Sequence, residues 1–79
     1  MMDSKQLALV YLMEEANRMS SVCTKNVHSL DKRKAKKQLE EQLGKLFSAM
    51  REVGEEFDID EDSTMVHAEK EYLRRLEEK

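Results

Sequence analysis

The chain has 79 residues, with 14 Lys and Arg against 17 Asp and Glu, a net charge of −3, and 39% charged beside 39% hydrophobic residues. It holds no Pro, no Trp, two Gly and one Cys. That excludes a turn-rich sandwich or barrel, a Pro-rich or collagen-like chain and an intrachain disulfide, and no apolar run nears the roughly 18 residues of a membrane span. What remains is one all-α domain over residues 1–79, expected in a reducing, cytoplasmic setting with no secretory leader. A domain this small usually needs a staple. With no disulfide available, a partner chain is the expected one.

The first helix is expected over about residues 4–27. Asp3 with Gln6 three residues on has the form of a capping box. Leu12, Ala16, Met19, Cys23 and Val27 recur at helical spacing, while Leu7 to Met13 is apolar on every side. A helix apolar all round must be covered from more than one direction, which points to a second subunit.

The second helix is expected over about 31–57, capped by Ser29 or Asp31. Its apolar series Leu39, Leu43, Leu46, Met50, Val53 and Phe57, with Ala35 one turn earlier, forms a heptad-like stripe that Phe47 widens. Gly44 sits inside this helix, either to allow close backbone approach or as a tolerated cost. These patterns make Leu9, Leu12, Met13, Leu43, Leu46, Phe47 and Met50 the expected interface of a helical bundle built by oligomerisation, as a homodimer or higher homo-oligomer.

The acids around Asp58 to Asp62 suit the N-terminus of a third helix, expected over about 63–77. Met65, Val66, Tyr72, Leu73 and Leu76 share a face on it.

Few residues carry chemistry. Cys23 lies on an apolar stripe and reads as buried. His28 and His67 lack zinc-ligand spacing and read as a connection and a surface residue. No Gly-rich phosphate loop is present. The basic run Lys32, Arg33, Lys34, Lys36 and Lys37 opens a helix, where positive charge opposes the dipole. It reads as a solvated face or as a patch for an acidic partner; the acidic chain and the lack of interleaved aromatics argue against nucleic acid. Glu14-Glu15 and Glu40-Glu41 lie on helices whose antiparallel packing could bring carboxylates together, as in metal-binding bundles.

Glu14-Glu15-Ala16-Asn17-Arg18-Met19, followed by Thr24-Lys25, resembles the first motif (E-E-C-A-E-V/L, then Ser-Lys) of the MazG-like all-α nucleotide pyrophosphohydrolases. Leu39-Glu40-Glu41-Gln42-Leu43-Gly44-Lys45-Leu46 is similar to the second, L-x-E-E-L-G-D-V/L. The likeness covers about residues 7–76, including Phe57 to Asp60 and Glu69, Lys70 and Leu73. It implies a helical fold that assembles into dimers or dimers of dimers. In that family carboxylates in the pattern E-E-x-x-E and E-x-x-D hold Mg²⁺ for water attack on a nucleoside triphosphate. Here Glu14 and Glu15 match the opening pair and Glu41 the Glu beside the second motif. Arg18, Gln42 and Lys45 stand where acids belong.

The expectation is a degenerate metal and nucleotide site with no catalytic residue and no cofactor, in which Glu14–Arg18 and Glu41–Lys45 form ion pairs. The resemblance then implies a pseudoenzyme that works by protein–protein binding, as a phage or bacterial accessory protein modulating a host protein. The alternatives are residual pyrophosphohydrolase activity with Mg²⁺, or metal-independent nucleotide binding through Arg18, Lys25 or Lys45.

Overall fold

The computed structural model describes residues 1–78. It contains three helices, α1 (Ser4–Asn26), α2 (Lys32–Glu56) and α3 (Glu61–Glu77). The all-α expectation holds, with boundaries within two residues of those read from the sequence.

Each helix starts on an aspartate. The Asp3 carboxylate accepts from the Gln6 amide at 2.8 Å, and the Gln6 side chain accepts from the Asp3 amide at 3.0 Å, closing the expected capping box. Asp31, rather than Ser29, caps α2 by accepting from the Lys34 amide at 3.1 Å. Asp60 caps α3 by accepting from Ser63, so α3 begins at Glu61, two residues before the expected Ser63. The carboxylate of a cap satisfies an orphan N–H and faces the positive end of the helix dipole.

α2 ends in a Schellman-type turn. Asp58 adopts φ 52° and the Ile59 amide donates to the Gly54 carbonyl at 2.9 Å. An aspartate here takes the left-handed position usually held by Gly.

α1 and α2 form an antiparallel hairpin. Three polar contacts fix its register: Ser4 to Glu56 at the open end (3.0 Å), Gln42 to Glu15 in the middle (2.8 Å), and Asn26 to Gln38 at the turn end (2.9 Å). The middle contact puts Ala8 level with Ala49, seven residues away on each helix, and both are buried. Two small residues at one level let the backbones come close.

The seam differs from the apolar stripes expected from sequence. On α1 it runs Ala8, Leu12, Glu15, Met19, Val22 and Asn26; on α2 it runs Ala35, Leu39, Gln42, Leu46, Ala49 and Val53. Both follow alternating steps of four and three. Ala16, Cys23 and Val27 lie outside it and are exposed, so the reading of Cys23 as buried is corrected. Met50 and Phe57 are exposed too. Each helix carries two heptad-like stripes side by side, and the one holding Glu15, Gln42 and Asn26 faces inward because those polar groups find partners there. A Cβ added at Gly44 meets nothing within 4 Å, so no close approach within the protomer explains that glycine.

No residue of α3 is buried. Its first turns border a groove of about 530 Å³, in which Thr64 and Met65 face Leu12, Phe47, Met50 and Ile59. The rest extends past the hairpin, giving overall dimensions of 43 × 32 × 16 Å.

Candidate functional site

The positions singled out by the motifs divide in two. Glu15 and Gln42 meet on the seam, where Arg18 reaches Glu15 from the exposed flank of α1; Glu14, Glu41 and Lys45 are exposed on the outer surface of the hairpin. The division follows from helical geometry. Positions 15 and 42 point at the opposing helix, and their neighbours at 14 and 41 are turned about 100° away.

Glu15 is 3% exposed and Gln42 6%. The Gln42 side-chain amide donates to Glu15 Oε2 at 2.8 Å and to the Glu15 backbone carbonyl at 3.2 Å. Arg18 Nη1 donates to Glu15 Oε1 from one helical turn away. Both carboxylate oxygens are thereby engaged by protein donors. Among the described residues no buried side-chain polar atom lacks a partner.

The expected ion pairs are corrected. Arg18 pairs with Glu15, not Glu14, and Glu41–Lys45 is absent from the ion pairs formed by the described residues. The physical reason for the first is burial. A carboxylate held out of water attracts a guanidinium more strongly than one immersed in it. The guanidinium reaches Glu15 at i,i+3 while the Arg18 side chain stays 60% exposed.

The cluster does not fit Mg²⁺. That ion takes near-octahedral oxygen ligands and usually keeps several waters. Here one buried carboxylate is enclosed by an amide and a cation, and among the described residues no three His, Cys, Asp or Glu side chains are grouped to hold a metal. Gln42 offers its N–H toward Glu15 where an acid would offer oxygen.

No family model, no curated protein and no solved structure matches this chain.

A second feature stands out more than the cluster. On the side of the hairpin that carries Leu12, a row of large apolar side chains stays largely exposed, with α3 bordering it only at Phe47 and Met50: Leu9 is 42% exposed, Met13 66%, Phe47 58% and Met50 48%. Leu43 and Leu46 are half-buried at its edge. These are the residues expected to form an interface, and the protomer leaves them open to solvent or to a second chain. No helix among the described residues is long and apolar enough to cross a membrane.

The basic run Lys32, Arg33, Lys34, Lys36 and Lys37 is exposed along the first turns of α2. Lys36 lies 3.8 Å from Glu40 one turn on, with both side chains largely solvated. Sequence reasoning missed the acidic counterpart at the other end of the helix. Seven acids and no cation occupy residues 52–62, a count that was available from the sequence.

Proposed function

We propose that this chain is a MazG-like helical protein that has exchanged metal binding for internal ion pairing and acts by binding other chains, first of all copies of itself. The observation that carries the proposal is the largely exposed apolar face of Leu9, Met13, Phe47 and Met50. Soluble monomers rarely expose a contiguous patch of that kind without an occupant. The Glu15–Gln42–Arg18 cluster supports the loss of hydrolysis. Its carboxylate is neutralised by a guanidinium and held by an amide, which removes the negative field that would recruit a divalent cation. The resemblance extends the proposal to an accessory protein, phage or bacterial, that modulates a host protein through this face once assembled as a homodimer or higher homo-oligomer.

Two measurements test it together. Sedimentation of the purified chain is expected to show a dimer or larger assembly that Phe47→Glu converts to monomer. Incubation with each nucleoside triphosphate and Mg²⁺ or Mn²⁺ is expected to release no pyrophosphate. A wild-type monomer at high concentration overturns the binding reading, and robust metal-dependent pyrophosphate release overturns the loss of hydrolysis.

A further inference from the structure

The charges of α2 are arranged against its own dipole. Cations crowd its N-terminus and no acid stands in its first turn; acids crowd its C-terminus and no cation stands in its last turn. Both ends oppose the partial charges of the helix. Across the hairpin the contrast is larger. Residues 25–37 at the turn end hold six cations and one acid, while residues 52–62 at the open end hold seven acids. A protomer alone has no means of bringing these ends together, because they lie at opposite ends of a 25-residue helix.

The surface area points the same way. The accessible surface is 7010 Å², against about 5,000 Å² for a compact chain of this mass. The radius of gyration is 15.1 Å, against about 12 Å for a compact domain of this length. The wholly exposed α3 contributes to this excess of about 2,000 Å², which still leaves room for the roughly 800 Å² per partner that a standard stable interface buries.

Building on the self-binding reading above, we infer that a second copy docks antiparallel across the apolar face, about a twofold axis near Phe47, so that the basic turn end of each protomer lies over the acidic open end of the other. Lys36 stands eleven residues before Phe47, about 16 Å along α2 at 1.5 Å per residue, and Asp58 eleven after it, in the turn that closes α2. A twofold axis there sets Lys36 and Lys37 opposite the partner's Glu56 and Asp58 at the end of α2, with Lys32 to Lys34 over the partner's acidic connection to α3. The contact is isologous, with each salt-bridging set occurring twice. A parallel pairing would instead stack cations on cations and acids on acids, which is destabilising. Apolar burial supplies the association and the charges select its direction.

The test compares self-association of the full chain, measured by sedimentation, for wild type, Lys32→Glu/Lys36→Glu and Asp58→Lys/Glu61→Lys, with far-UV circular dichroism confirming that each remains helical. Each variant alone is expected to raise the dimer Kd at least tenfold, since both contacts become like-charged. An equimolar mixture is expected to form a heterodimer with wild-type affinity, since both contacts are then complementary. Variants that dimerise as tightly as wild type, or a mixture no tighter than its parts, overturn the antiparallel arrangement while a dimeric wild type leaves the self-binding reading intact. A monomeric wild type overturns both.

Cross-linking gives a second readout that does not depend on the charge variants. In a Cys23→Ser background, Phe47→Cys is expected to oxidise to a disulfide with itself. Lys36→Cys is expected to join to Asp58→Cys and not to itself. Efficient self-linking of Lys36→Cys overturns the arrangement.

Discussion

Replacing Gln42 and Glu15 singly and together tests whether the buried polar pair is a coupled unit. In Gln42→Leu the carboxylate loses the 2.8 Å donor to Oε2 and keeps Arg18 on the other oxygen. A hydrogen bond to a charged group contributes about 1.5–3 kcal/mol, and the stranded oxygen retains its desolvation cost. The added leucine surface offsets about 1 kcal/mol, leaving a net loss of about 2 kcal/mol. Glu15→Leu leaves the Gln42 amide only its longer bond to the residue 15 backbone carbonyl, 3.2 Å, at about 1–3 kcal/mol, while Arg18 returns to water at little cost because its side chain is already 60% exposed. In the double variant neither partner is left unpaired, and an apolar pair of similar volume is expected to match or exceed wild-type stability. A domain of this size has about 4–12 kcal/mol in total, so each single loss lowers Tm by about 8–16 °C. Thermal and urea unfolding followed by circular dichroism, at one fixed protomer concentration, measures all four species. A double variant that loses the sum of the two singles would show that Glu15 and Gln42 act independently, and the account of the cluster would fail.

Gly44→Ala is expected to raise stability by about 0.5–1 kcal/mol, because the new Cβ meets nothing within 4 Å and the backbone is helical; urea unfolding checks it, and a loss would mean that another chain approaches this glycine closely. Asp31→Ala is expected to cost about 1 kcal/mol through loss of the α2 cap, read by the same assay against the bond to the Lys34 amide. Arg18→Glu/Gln42→Glu/Lys45→Asp restores the acids that the resemblance expects. The variant should be less stable than wild type without metal and should gain about 2–3 kcal/mol with Mg²⁺ or Mn²⁺ at a hundredfold excess over Kd, while wild type gains nothing in the same thermal-shift series.

The helices and their caps were legible because they depend on local chemistry. Asp3 with Gln6, Asp31 before a helical run, and acids before the third helix all act within four residues. The facing surfaces were less legible. Apolar spacing marked Leu39, Leu46 and Val53 correctly but carried Leu43, Met50 and Phe57 with them, since two stripes on one helix share the same period. What decides between the stripes is where Glu15, Gln42 and Asn26 find partners, and that is a property of two helices together. The motif positions were legible as a group, yet their pairing was not. Helical spacing favours Glu14–Arg18, and only the burial of Glu15 shifts the guanidinium by one residue. Cys23 was misread for the same reason as Phe57.

The inward stripe of the hairpin leaves its large apolar side chains, Leu12, Met19, Val22, Leu39, Leu46 and Val53, only half-buried. It buries Ala8, Ala49, Glu15 and Gln42, whereas Phe47, Met50, Leu9 and Met13 stay outside. Polar pairs at the open end, the middle and the turn end specify register, as single polar positions do in coiled coils, but net hydrogen bonding contributes modestly. Burial of side chains such as Phe47 and Met50, at about 1.5–3 kcal/mol each when complete, is available only through assembly. Folding and association are therefore expected to be coupled, with the isolated protomer folded but less stable than the assembled one. The consequence is measurable. For a dimer that unfolds to two free chains, each tenfold rise in concentration adds about 1.4 kcal/mol. The unfolding entropy of two such chains converts that to about 4 °C in Tm. Melting over a hundredfold range of protomer concentration should shift Tm by about 8 °C, and a Tm that stays fixed over that range would show that the thin polar seam suffices alone.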